Sequence, residues 1–211
     1  MIHLLLRDSV RDQVMPTARA KLRRRLQRAL TAAGWPDAQV CLTLSDSAEL
    51  HALNREYADE DHATDVLSFS QLEATSPLRV PRGVPVLLGD IVISVPIAGQ
   101  QAQAQGHDLD AELLHLSVHG LCHLLGYDHA TLDEERIMFG YEAVLRAEAI
   151  ARRPTRRCPP PPMPRPARSK RSIGSTGSTG STDATRSNRA ARSPDSTRSN
   201  RSARSTDSQG R

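Results

Sequence analysis

Apolar positions change their period several times along the first 150 residues, and each change marks an element. Ile2 to Leu6 is a short apolar run of strand length. From Pro16 to Ala33 the apolar residues Leu22, Leu26, Leu30 and Ala33 recur at helical spacing, and Gly34 and Pro36 stop the run. Val40, Leu42 and Leu44 then alternate with Gln39, Cys41 and Thr43, which predicts a second strand. Asp46 and Glu49 form a candidate capping box for a helix that turns Leu50, Leu53 and Tyr57 inward. A polar loop, Ala58 to His62, leads to a strand over Thr64 to Phe69 that buries Val66 and Leu67.

Gln71 to Pro85 contains Pro77, Pro81, Gly83 and Pro85 and reads as a loop carrying Arg79 and Arg82. Val86 to Ser94 reads as a central strand around Ile91, Val92 and Ile93. Asp90 inside it needs a partner: a ligand histidine, or a neighbouring turn that it caps. Pro96 to about Gly106 is read as helical, and Asp108 as the cap of the next helix. Leu113 to Leu125 is apolar on nearly every side, so that helix is expected at the buried centre. Thr131 and Glu134 open a last helix, whose stripe runs from Ile137 to Leu145 and which ends near Ile150.

Beyond residue 151 the pattern disappears. Residues 152–211 hold 15 Lys/Arg against 3 Asp/Glu, a net of +12, whereas residues 1–151 carry a net of −8. Pro159 to Pro162, three Gly-Ser-Thr copies and the near-repeat of TRSNRAARSPDS as TRSNRSARSTDS leave almost nothing to bury. Residues 1–151 are therefore expected to fold as one domain, and 152–211 to be a disordered basic Pro/Ser/Arg-rich tail. That tail is either an electrostatic RNA contact or a neutral extension. Aromatics are only 3% of the chain, so Leu, Val, Ile and Ala must fill the core. Three cysteines without paired spacing suit a reducing cytosol and argue against a disulfide framework. The N-terminal apolar run is too short for a signal peptide or a membrane span. On the Pro16 helix, Arg23, Arg24, Arg25 and Arg28, with Arg19 and Lys21, form a positive patch, either a solvated face or a phosphate-backbone contact.

The chemistry concentrates in His119-Gly120-Leu121-Cys122-His123-Leu124-Leu125-Gly126-Tyr127-Asp128-His129. His119 and His123, four apart, project from one helix face. Gly126 can end the helix in the left-handed conformation, which brings His129 back towards them. Three imidazoles so placed make a metal site with a fourth position open, as in catalytic zinc centres. Cys122 points elsewhere and reads as core. His115, one turn earlier, is either a hydrogen-bond partner of substrate or ligand or a core polar residue. The spacing is also that of metzincin proteases, but Gly120 stands where they carry the glutamate general base, which argues against a protease.

HGLCHLLGYDH, preceded by LGDIVIS and by LNREYADEDHATDVLSFS, resembles the YbeY-type endoribonucleases, bacterial rRNA maturation factors. The resemblance runs over most of residues 1–150. It implies an α+β domain with a mixed sheet of about four strands flanked by about five helices. It also implies a metal, generally zinc, on His119, His123 and His129, and cleavage of single-stranded RNA in small-subunit rRNA processing. Two positions depart from the family pattern: Ala58 follows Tyr57 where an Arg is usual, and Ala63 replaces the Pro before Thr64-Asp65. The expectation is a zinc-dependent cytoplasmic endoribonuclease acting on rRNA or the ribosome. Arg55, His115 and Asp128 are the candidate catalytic groups, and the basic patch holds RNA. The alternatives are a non-catalytic ribosome-assembly factor with a structural metal and, least favoured, a metalloprotease-like hydrolase.

Overall fold

The structure, a computed structural model, describes residues 1–72 and 85–151. The centre of the proline-rich loop and the tail from residue 152 onwards lie outside the described residues, and with them the expectation of disorder. The strands are β1 (Ile2–Leu6), β2 (Gln39–Ser45), β3 (Val66–Ser70) and β4 (Leu87–Ser94). The helices are α1 (Pro16–Ala32), α2 (Ser47–Tyr57), α3 (Val95–Gln105), α4 (Leu109–Leu124) and α5 (Leu132–Ile150). A 3₁₀ segment, Asp8–Gln13, joins β1 to α1 and has no counterpart in the hydropathy pattern, because only Val10 in it is buried.

The sheet order is β1-β2-β4-β3. β1, β2 and β4 run parallel, and β3 pairs antiparallel with β4 along the edge. The fold is thus α+β with a mixed four-stranded sheet. Alternation decides which side chains meet which helices. Val40, Leu42, Leu44, Ile91 and Ile93 enter the main core with α1, α4 and α5. Leu67, Val92 and Phe69 face the other way and pack against Leu50 and Leu53 of α2. α4 is buried almost all round, with Leu113, Leu121, Cys122 and Leu124 at most 1% exposed.

The helix ends follow the sequence signals, with one exception. Asp108 accepts from Ala111 N, and Thr131 with Glu134 forms the reciprocal capping box. Asp46 caps α2 by accepting from the amides of Ala48 and Glu49, but the expected return bond from the Glu49 side chain is absent. Glu49 instead takes Arg7, with Nε at 2.9 Å, and the hydroxyl of Ser45. A charged partner outcompetes a backbone amide. No helix among the described residues is long and apolar enough to cross a membrane.

Candidate metal centre

α4 places His119 and His123 on one face, both nearly buried. The helix then ends at Leu125, and Gly126 takes φ +89°, the left-handed turn that lets Tyr127 N return to Cys122 O. His129 comes back to its two partners, with ring centroids 5.5 Å from His119 and 5.2 Å from His123. One ligand nitrogen from each of the three histidines lies within 4.8 Å of the other two. Among the described residues this is the group that could hold a metal ion.

Hydrogen bonding fixes which nitrogens face inward. His123 Nδ1 lies 3.0 Å from the carbonyl oxygen of Tyr127, which can only accept, so Nδ1 carries the proton. His119 Nδ1 lies 3.1 Å from Glu142 Oε2 on α5 and donates to it. The two remaining Nε2 atoms face each other at 3.1 Å. Burial, then the charges of His119 and His129, push His123 down to about 3, so its ring is neutral. Two imidazoles with both Nδ1 protons committed aim their Nε2 atoms at one point, an arrangement suited to a cation. Two nitrogens bound about 2.1 Å from a tetrahedral ion stand about 3.4 Å apart, close to what is observed. The donor set therefore fits a metal ion.

Glu142 is not visible as a site residue in the sequence. It is 4% exposed and joins His119 to His115, whose Nε2 is 3.1 Å from Oε1. Burial alone would raise its pKa, but the hydrogen bonds from His115 and His119 outweigh that and hold it down to about 2. His115 is in turn raised to about 9, by its hydrogen bond to Glu112 and then by Glu142, against its own burial. Glu112, 1% exposed, also binds His107. A ladder of alternating imidazoles and carboxylates thus runs along α4 to the first ligand. A carboxylate behind a ligand histidine fixes its tautomer and raises its basicity.

The ladder makes the stability of the metal-free protein depend on pH. His115 has a raised folded pKa, so its contribution is fully present below its unfolded value of 6.5 and is lost as pH rises through about 9. Between those limits the metal-free chain should lose about 2 kcal/mol. Urea unfolding at pH 6 and pH 9.5 measures it, and His115→Gln should flatten the difference.

Other expectations are corrected or narrowed. Asp90 is not the partner of a ligand histidine. It lies on the α2 side of the sheet beside Cys41, whose thiol is raised by burial and then by Asp90. Asp128 accepts from the amide of His129 at 2.7 Å and so shapes the turn. Arg55 is exposed on the last turn of α2, and among the described residues no hydrogen bond, ion pair or ring contact joins it to the histidines. Ala58 ends that helix. Within the basic patch, Arg28 Nη1 donates to Ala151 O at 2.9 Å and Lys21 pairs with Asp110 at 2.8 Å, so both tie elements together. Arg25 is half-buried, whereas Arg23 and Arg24 are exposed. Arg23 and Arg19 line a groove with Leu4, Pro16 and Ala20.

A mixed four-stranded sheet whose buried central helix presents three converging imidazoles, the first backed by a carboxylate, defines the class: a small α+β domain built around a histidine cluster that could hold a metal ion. The family model described as Endoribonuclease YbeY matches residues 7–149, and the chain belongs to the YbeY endoribonuclease family. An Endoribonuclease YbeY of Bacillus cereus is 37% identical over 148 residues, covering 69% of this chain and 93% of that protein. One of Geobacillus kaustophilus is 46% identical over 121 residues, 56% of this chain and 78% of that one. A solution structure of a Thermotoga maritima protein aligns with TM-score 0.46 at 24% identity, over 71% of this chain and 89% of that one.

Proposed function

We propose that residues 1–151 form a zinc-dependent endoribonuclease that cuts single-stranded RNA during rRNA maturation, with His119, His123 and His129 as the metal ligands. The observation that carries this reading is the convergence of three imidazole nitrogens, within 4.8 Å, on a chain of an endoribonuclease family. Three neutral ligands leave a bound zinc its full double charge, which acidifies water to a pKa of about 7 and stabilises charge developing on phosphoryl oxygens. The chain's own residues prepare the place. Glu142 holds His119 with Nδ1 protonated and Nε2 inward, and the Tyr127 carbonyl does the same for His123. The exposed Arg23 and Arg24 take up phosphates, and the basic residues 152–211 add sequence-independent attraction. Small-subunit rRNA is the substrate this reading favours, and the cytoplasm its compartment.

Gly120 gives a geometric reason to set the protease alternative aside. The direction in which a protease would carry its glutamate is filled by Ile91 and Ser68 of the sheet. The assembly-factor alternative draws on Ala58, which supplies no cation where the family usually has one. A single experiment separates these readings. Full-length protein is stripped with a chelator, restored with zinc, and incubated with single-stranded and duplex forms of one RNA, beside Ala58→Arg. Internal cleavage of the single strand, lost on stripping and regained with zinc, is expected, with Ala58→Arg faster. Tight RNA binding without cleavage in any state would instead establish the assembly factor.

A further inference from the structure

Phe139 lies beside the histidine cluster on α5. Its ring centroid is 6.0 Å from that of His129 and 6.3 Å from that of His119, tilted by 44° and 49°. Those separations are ordinary aromatic contacts. Yet the residue is 46% exposed, while its neighbours Met138 and Tyr141 are buried. The chain has one Trp, three Tyr and two Phe, and only Tyr57 and Phe139 among them are exposed. Tyr57 already packs edge-on against Phe69, at 5.3 Å. Phe139 thus leans on the metal ligands with part of its ring and gives the rest to solvent. Glu142 follows it by three residues on the same helix, so one stretch of α5 both supports His119 and carries the aromatic rim.

We propose that Phe139 is a stacking platform for one unpaired nucleobase of the RNA, seating the adjoining phosphodiester at the metal centre. The inference rests on the endoribonuclease reading above and adds the feature of the substrate that is recognised. An aromatic face accepts any base, so the contact is tolerant of sequence. It demands that the base be free of its duplex neighbours, because a base stacked on both sides offers no face. Preference for single strands then follows from this ring, without any element that reads strandedness separately. The imidazoles behind the ring hold it in place, so little ordering is left for the moment of binding.

The test compares zinc-loaded wild type with Phe139→Ala, Phe139→Leu and Phe139→Tyr. Binding and cleavage are measured on a single-stranded oligoribonucleotide and on a series in which each nucleotide in turn is abasic. Zinc content equal to wild type checks that each variant is folded. Alanine and leucine are expected to weaken binding by about five- to a hundredfold and to raise KM more than they lower kcat. Tyrosine should restore wild-type behaviour. At one abasic position, next to the cleaved linkage, wild type should fall to the level of the alanine variant, which loses nothing further there. Leucine binding as well as phenylalanine, or no abasic position coupled to residue 139, overturns the proposal. Wild type that binds but does not cut overturns only the nuclease reading, since the coupling is still read from binding. Wild type that binds no RNA overturns both.

Discussion

His123→Ala is expected to abolish zinc retention and RNA cleavage together while leaving the metal-free domain folded, though less stable than the wild type. Loss of one of three ligands should cost at least the roughly hundredfold in affinity seen when a mere supporting group is removed. The metal-free chain behaves differently for a specific reason. His123 Nε2 faces His119 Nε2 at 3.1 Å, and both Nδ1 protons are committed elsewhere. Removing one ring relieves that opposition of lone pairs. This gain offsets only part of the loss, which is about 1–3 kcal/mol for the Tyr127 carbonyl left without its donor and about 2 kcal/mol or more for the cavity. The clearest readout is the stabilisation that zinc confers: about 2.7 kcal/mol at a hundred times Kd for a chain that binds it. Wild type should show that rise in a thermal melt and His123→Ala should not. A variant that keeps its zinc and still cuts RNA would remove His123 from the site.

The site is legible in sequence as far as it is local. His119 and His123 are fixed by helical period, and His129 by the turn at Gly126, close before it in the chain. What holds those histidines is not local. Glu142 reaches His119 across 23 residues and from another helix, and no spacing rule connects them. One signal is available: an acid beside Tyr141 and Leu145, on the stripe that α5 buries. Glu112 is a similar case. Its place in the first turn of α4 suggests only a favourable helix dipole, yet it is 1% exposed between His107 and His115. Buried acids must find donors, so an acid on an apolar face is worth pairing with every nearby histidine.

Asp90 shows the opposite lesson. Strand alternation puts it on the face of Val92, away from Ile91 and Ile93, and that rule alone separates it from the α4 side. The four strands and five helices are readable because each is periodic or capped. Their order in the sheet is not, since β4 sits between β2 and β3 through pairings far apart in the chain. Phe139 escapes a reading of the sequence because an apolar residue near a helical stripe looks like core until its exposure is known.

Gly120→Glu, which would create the protease-like sequence HELCH, is expected to leave no folded domain. A Cβ at residue 120 would stand 2.8 Å from Ile91 Cγ2 and 2.9 Å from Ser68 Oγ. Serine can rotate away, but Ile91 is fully buried on β4 between β2 and β3 and cannot move without the sheet. Alanine already sets a gain in helix propensity of about 1 kcal/mol against overpacking of about 1–3 kcal/mol, so Gly120→Ala should be folded and less stable. Glutamate adds an unpaired carboxylate driven between helix and sheet. Its burial costs as much as the roughly 5–15 kcal/mol that holds a typical domain together. Soluble yield and the circular-dichroism melt decide the matter: a cooperative transition for Ala, lower than wild type, and none for Glu. A Glu variant that melted like wild type would mean that α4 can turn about its axis. The same rotation would carry His119 and His123 away from His129, so its zinc content should then be lost.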